Sequence, residues 1–370
     1  MTVASNEMSA TGLLVAPRTI IKGDGGNVGI IHLDARPAQR LALDISERSS
    51  VFGSAPWIRA LVETYDFDIR ASALARGNRI EAAIVFSEVE DIRGRRVVSL
   101  PFSDYLDPLV HDEVTWKRLI DPILGLGAPV RFRCLHNTVP LTDARFVQTE
   151  GAVWHGVDLR RSEEELWASL KDSAPQNVRR AQRHGVVVRE GRSLDDLLTF
   201  YRMHCSVRKK KYGMFAQPFA FFENLHAAFS SDDGLVVLLA EVDGIAVAGI
   251  LFLIHGDTLY YKFNASVDLA YRPNDLLVWS GMMLGRHLGL AHMDFGLSDL
   301  EQPGLVRFKD KFATEKRPIA ELRWTPPGEA DERGRQAGAL LHRLTSVLTS
   351  GNVPDEVTRA AGDEIYRLFC

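Results

Sequence analysis

Two stretches of the chain share one hydrophobic pattern. Residues 74–86 read LARGNRIEAAIVF and residues 240–252 read AEVDGIAVAGILF. Each is an apolar run, a polar turn (GN or DG) and a second apolar run, which predicts a β-hairpin. Each is followed by another strand-like run, RRVVSLPFSDY in the first case and DTLYYKFNAS in the second. Each is preceded by a helical pattern, WIRALVETY and PFAFFENLHAAF. The shared order of helix, strand, turn and strand predicts a duplicated α/β unit about half the chain long, a period far above that of a solenoid repeat.

The boundary is expected near Gly151. PVRFRCLHNTVPL and ARFVQTEGAVWHGVDL look like strands leading out of the first unit. Beyond them RSEEELWASLKDSAPQNVRRAQRHG is helical, with a break around residues 173–175. Ser162 followed by Glu163, Glu164 and Glu165 suits a helix N-terminus, where carboxylates face the positive end of the dipole, and Gly185 suits a stop. PNDLLVWSGMMLGRHLG reads as a helix opening on Pro273 and closing on Gly289. A strand, AHMDFGL, and a loop-rich basic stretch, GLVRFKDKFATEKRP, follow it. From about Glu329 the pattern is helical and is expected to pack back on the body. The predicted organisation is 1–150, 151–325 and a C-terminal helical segment 326–370.

Composition agrees with that reading. At 370 residues, 46% hydrophobic and 25% charged, the chain has the makeup of a soluble globular protein with two domains. The opening MTVASNEMSATGLLVAPRTI has no basic segment followed by a sustained apolar run, so no signal peptide is expected. The longest apolar candidate, LLVWSGMMLGRHLG, is cut by Arg286 and His287, so no membrane span is expected. The predicted location is the cytoplasm. The three cysteines, Cys134, Cys205 and Cys370, share no C-x-x-C spacing, which argues against a disulfide framework or a zinc site. Cys205 adjoins His204, but neighbours on a helix point in different directions and make a poor dyad.

The net charge is −4, yet the positive charge is segregated. One cluster is Arg179, Arg180, Arg183 and His184. The second is Arg208 to Lys211, inside VRKKKYG. The third is Arg307, Lys309, Lys311, Lys316 and Arg317. Focused charge of this kind attracts phosphates. Arg208 and Tyr212 are four residues apart, so on a helix they share a face. A guanidinium fork beside a phenol suits a diphosphate or a carboxylate. Phe308 and Phe312 have the same spacing and would anchor their segment, so that Lys309 projects from a fixed base; Arg307, Lys311 and Lys316 are alternatives for the inward cation. Asp294-Phe-Gly296 reads as a strand end rather than a metal site. Tyr260 and Tyr261 alternate faces of a strand, which leaves one for the core and one for a cleft. Asp104 and Asp107 suit turn caps, and Trp154 and Trp167 suit the core. A negative net charge without a reading helix argues against DNA as a partner.

The set WASLKDSAPQNVRRAQRHGVVV, RKKKYG…PFAFFENL, LYYKFNAS, PNDLLVWSGMMLG and MDFGLSD…GLVRFKDKF resembles the Fem-type aminoacyltransferases and their relatives with tandem acetyltransferase-like (GNAT) domains. LPFSDYLDPL resembles the matching lobe of exopolysaccharide-associated members. The resemblance covers residues 50 to 320. It implies an α/β fold of two GNAT-like domains with a cleft between them. It also implies transfer of an amino acid from aminoacyl-tRNA to an amine of a nucleotide-linked or lipid-linked precursor, with peripheral membrane association if the acceptor is lipid-linked. On motif position, Arg208 and Tyr212 would hold the precursor's phosphates with Tyr260 or Tyr261. Lys309 would match the lysine of the family's G-x-x-x-F-K stretch and lie near the reacting groups. Asp104 and Tyr105 would face the cleft. Lys211 and Arg307 would add to the field around the substrate. The helical arm that family bridge enzymes insert for tRNA has only KDSAPQNVRRAQRHG as a counterpart.

An aminoacyl ester is already activated, so the chemistry needs alignment of an amine with a carbonyl and stabilisation of the oxyanion. No nucleophile triad, metal or cofactor is expected. Lys309 would face the developing charge or a phosphate, and Asp299 or Asp104 would take the amine proton. Two other functions compete. An acyl-CoA-dependent N-acyltransferase would need a glycine-rich loop at a helix N-terminus for the pyrophosphate. The corresponding AYRPNDLLVW has no glycine pair, and Pro273 removes an amide donor. A non-catalytic module binding a polysaccharide or nucleotide-sugar would keep the aromatic and basic cleft and dispense with the Asp and Lys set.

Overall fold

The computed structural model describes residues 20–23, 26–32, 45, 49–76, 79–328 and 332–370. Its strands are β1 (Ile20–Gly23), β2 (Gly26–His32), β3 (Asp68–Arg76), β4 (Arg79–Asp91), β5 (Gly94–Val98), β6 (Val130–Cys134), β7 (Val147–Asp158), β8 (Val187–Gly191), β9 (Leu235–Val242), β10 (Ile245–His255), β11 (Thr258–Ser266), β12 (His292–Asp299) and β13 (Glu315–Trp324). Its helices are α1 (Ala55–Tyr65), α2 (Glu113–Leu124), α3 (Glu163–Ser169), α4 (Ala174–Arg183), α5 (Leu194–Tyr212), α6 (Phe219–Phe229), α7 (Pro273–His287), α8 (Pro303–Asp310), α9 (Glu332–Leu348) and α10 (Asp355–Ile365).

Both expected hairpins form. In the second, Val242 faces Ile245 across Asp243 and Gly244, whose φ of +49° and +76° suit the twist of a two-residue hairpin turn. In the first, Arg76 faces Arg79, and the turn pair Gly77-Asn78 lies outside the described residues. The helix expected after Gly151 divides into α3 and α4 at Leu170–Ser173. Ser162 and Glu165 cap α3 reciprocally, as the spacing predicts.

All the strands join one 13-stranded sheet, in the order β1-β2-β3-β4-β5-β6-β13-β7-β12-β11-β10-β9-β8. Its two halves repeat the same scheme. β2 to β5 run antiparallel, then β5 pairs β6 in parallel. β8 to β11 run antiparallel, then β11 pairs β12 in parallel. The closing strands are exchanged. β7, which follows the first half in sequence, pairs with β12 of the second half. β13, which follows the second half, pairs with β6 of the first. β7 and β13 pair with each other at the centre, so the expected boundary at residues 150/151 falls inside β7.

One apolar cluster spans both halves on one face of the sheet, with Trp57, Leu61 and Tyr65 of α1 against Phe200, Phe221 and Phe222 of α5 and α6. The rings of Trp57 and Phe221 meet edge to face at 5.7 Å. The other face carries separate clusters, under α2 in the first half and under α4 and α7 in the second.

The basic stretch 304–318, expected as a loop, divides between helix and strand. Pro303 sits in the first turn of α8, where its fixed φ favours a helix and its missing N–H costs nothing. β13 has no clear sequence signal because its buried apolar positions, Ile319 and Leu322, are interleaved with charges that pair across the strands. The run RRVVSLPFSDY is a strand only to Val98, and a loop from residue 99 to 112 follows.

Candidate active site

β11 and β12 are in parallel register only from Thr258/His292 to Tyr260/Asp294; beyond that point they part. At the same place β12 slips register against β7 between Asp294 and Leu297. Gly296 makes the slip feasible. Its φ is +65°, and a Cβ there would lie 2.1 Å from Asp104 Oδ2. The bulge presents the carbonyls of Phe295 and Leu297 to Lys309 of α8, whose ammonium donates to them at 2.7 and 2.9 Å. Lys309 is 3% exposed. It is held as expected, with Phe308 and Phe312 anchoring it at a ring separation of 5.6 Å.

The loop after β5 reaches this bulge from the other half of the sheet. Asp104 Oδ2 accepts from Leu297 N at 3.2 Å, and Oδ1 accepts from the ammonium of Lys262 on β11 at 3.0 Å. Tyr105 donates to Asp294 Oδ2 at 2.6 Å, while Gly296 N donates to Oδ1 at 2.5 Å. Lys262 also donates to Phe102 O at 3.3 Å. It lies 4.6, 5.0 and 5.7 Å from the rings of Phe52, Trp57 and Phe263, close enough for cation–π attraction to offset part of its desolvation. Two lysines and two aspartates thus form one interlinked cluster, in which Lys309 and Asp294 are buried and Lys262 and Asp104 partly so.

Burial sets the acidities here. It pulls Lys309 down to about 8, against the opposing pull of Asp104 and Asp294. It raises the Asp294 carboxyl even though Tyr105 and Gly296 N hydrogen-bond to it. It also raises the Tyr105 phenol, reinforced by the charge of Asp294.

Of the residues singled out in the sequence, Lys309, Asp104 and Tyr105 meet at this point. Tyr260 packs beside them, 6.2 Å from the Phe52 ring. Tyr261 faces the opposite way, against Phe252 and Phe295. Asp299 lies at the end of β12 and accepts from Glu301 N at 2.8 Å, capping the turn into α8. Arg307 is exposed on α8. The alternatives for the inward cation are engaged elsewhere: Lys311 with Asp275, Lys316 with Asp310.

Arg208 and Tyr212 line a cavity of about 820 Å³ between the end of α5 and α9, together with Arg93 and His342. Arg208 Nε donates to Phe215 O at 2.9 Å. Lys211 is exposed and lies 5.1 Å from the Tyr212 ring. Lys209, in the same basic run, instead turns inward to Val353 O and Asp355 at 2.5 and 2.6 Å. A second cavity of about 290 Å³ shares Arg93 and Phe369 with the first and contains Asp104, Arg131 and Arg133. A third, of about 360 Å³, shares Arg131 and Arg133 and contains Leu297 and Asp299. The three adjoin in a row that passes the cluster.

Sequence reasoning missed Lys262 and gave Asp294 no role. A lysine in the middle of the apolar run TLYYKFNAS, and an aspartate two residues before a glycine in a strand, were the available signals.

In the second half-sheet the parallel strands part over a bulge, with helices on both faces. Residues 169–310 match the family model described as an acetyltransferase (GNAT) domain. The fold of most of the chain is shared by FemX (15% identity, TM-score 0.58, 84% of this chain and 99% of that one). It is shared by the C-terminal domain of a putative lysylphosphatidylglycerol synthetase from Agrobacterium fabrum (18%, 0.55, 84% and 96%). It is also shared by L-PGS from Bacillus licheniformis (14%, 0.55, 85% and 99%). No curated protein matches by sequence. The expected α/β, GNAT-like fold and the expected likeness to Fem-type proteins are borne out. Among the described residues no helix is long and apolar enough to cross a membrane, and no group of three metal-ligating side chains occurs.

Proposed function

We propose that the protein is an acyltransferase that moves an aminoacyl group from the ester of an aminoacyl-tRNA to an amine acceptor bearing phosphates. One observation carries this reading. A buried lysine at the parting of β11 and β12 spends two of its three N–H donors on the bulge carbonyls, leaving the third for an oxygen that gains charge.

The neutral amine attacks the ester carbonyl, and a C–N bond forms as the carbonyl becomes an oxyanion facing Lys309. Asp104 takes the amine proton. Collapse breaks the ester C–O bond and releases the ribose hydroxyl, which takes up a proton. Arg208 and Tyr212, in the largest of the three cavities, hold the acceptor's phosphates, and Arg93 continues the positive lining toward Asp104. The fold shared with FemX and with proteins named lysylphosphatidylglycerol synthetase supports the same reading.

The N-terminus of α7 argues against acyl-CoA as donor. Pro273 removes an amide, and Asn274 Oδ1 accepts from Ser266. The buried Asp275 carboxylate in the first turn pairs with Lys311 and would oppose a pyrophosphate.

The test is a transfer assay with tRNA charged with labelled amino acids, a panel of amine acceptors, and acetyl-CoA in parallel. Movement of label to a small product, abolished by RNase and by Lys309→Met in a folded variant, supports the proposal. Label moving only from acetyl-CoA overturns it, and binding without transfer from either donor favours a non-catalytic module.

A further inference from the structure

We propose that Arg131 and Arg133 form a second anion subsite, beside Asp104, for a carboxylate or phosphate of the substrate. The proposal rests on the acyltransferase reading for its biological meaning but is tested without turnover.

The two arginines are two residues apart on β6, so their side chains leave the same face of the sheet. Neighbouring like charges repel unless an anion lies between them. The one carboxylate bonded to both is Glu321 on β13, which Arg323 also engages. Three guanidiniums on one carboxylate leave two positive charges in excess. Arg133 bonds to Glu321 through Nε at 3.4 Å and lines both adjoining cavities. Burial, then the charge of Arg131, disfavours the Arg133 cation.

That unbalanced charge lines the middle cavity, about 290 Å³ in volume, which Asp104 also lines. Asp104 attracts Arg133 but also pairs with Lys262, so two carboxylates face three arginines and a lysine and the positive excess remains. Arg93, on the far wall, is engaged by Cys370 O. An anion on Arg131 and Arg133 would restore charge balance and accept two forked guanidiniums, the geometry that carboxylates and phosphates share. Being next to Asp104, it would fix the attacking or leaving end of the substrate, whereas Arg208 and Tyr212 act at the other end of the row of cavities.

Equilibrium binding of inorganic pyrophosphate and of succinate to the full chain, measured by calorimetry at low and at moderate salt, tests the proposal. The two probes separate phosphate from carboxylate as the preferred group. At least one should bind, and Arg131→Gln with Arg133→Gln should weaken it tenfold or more, while Arg202→Gln on the exposed side of α5 leaves it unchanged. Because Arg133 is partly buried, Arg131→Gln alone serves as the variant most tolerant of change, with an expected loss of at least threefold. Equal binding by wild type and both arginine variants, or no binding by either probe, overturns the subsite. Neither outcome depends on whether aminoacyl transfer is observed.

Discussion

Asp104 and Lys262 meet at 3.0 Å although 158 residues separate them in the chain. Asp104 belongs to a loop of the first half of the sheet and Lys262 to a strand of the second, so the pair fixes how the loop lies over the β12 bulge. With Leu297 N on its other oxygen, the Asp104 carboxylate has one orientation, which a group that accepts a proton from a positioned amine requires.

Lys309 should set the alkaline limit of activity. Its ammonium is held down to about 8 by burial, so the charged form is lost as pH rises through that value. In the transfer assay, kcat should fall above about pH 8, and in Lys309→Arg, which stays charged, the falling limb should disappear. Because the lysine is buried and its folded value lies below its unfolded one, stability should rise with pH between about 8 and about 10.5. A kcat that is level to pH 9.5 would refute the role of the ammonium.

Gly296→Ala should cost activity out of proportion to stability. The new methyl would meet Asp104 Oδ2, displacing the carboxylate, and the positive φ adds about 1–2 kcal/mol of strain. Transfer should drop by about two orders of magnitude with a modest fall in Tm. Gly304→Ala, where a Cβ meets nothing within 4 Å, is the control and should leave both unchanged.

Acid should destabilise the protein through two buried histidines. His204, stacked among Phe200, Phe222 and Phe263, and His155, bonded to Asp310, are each pulled down to about 4 by burial. Between pH 6.5 and 4 the unfolded chain binds protons that the folded one refuses, so stability present above 6.5 is lost as pH falls. At pH 5 each should contribute about 2 kcal/mol of loss. Thermal melts at pH 7 and 5 check this, and coincident midpoints would refute it.

The basic run of α5 should separate into one structural lysine and two solvated ones. Lys209→Met removes the bonds to Val353 O and Asp355 and should cost about 2 kcal/mol, with faster proteolysis of the segment 349–354. Lys210→Met and Lys211→Met, both exposed, should change stability by less than about 0.5 kcal/mol.

Much of this was legible because it is local. The hairpin pattern at residues 240–252, the Ser162–Glu165 cap and the Phe308–Phe312 spacing that fixes Lys309 are all set within a few residues. The contacts of Lys262 and Asp294 are not, since each acquires its partner from a loop 150 or more residues earlier. Arg208 and Tyr212 were read as neighbours on a helix and do line one cavity, but the α9 wall of that cavity follows from tertiary packing alone. β13 was missed for the same reason. A strand with only two buried apolar positions shows a weak alternation, and it forms because β6 and β7 offer edges on both sides.

The exchange of β7 and β13 has a mechanical consequence. A cleft bounded by two bodies on a hinge can open by rotation, but here the line between the halves is crossed by main-chain pairing on every strand from β6 through β13 and β7 to β12, interrupted by a bulge in each of two pairings. Prising the halves apart would shear two strands from their neighbours at once. Opening for a ligand would then fall to loops and side chains along the rim, over a paired sheet that resists rotation of its halves.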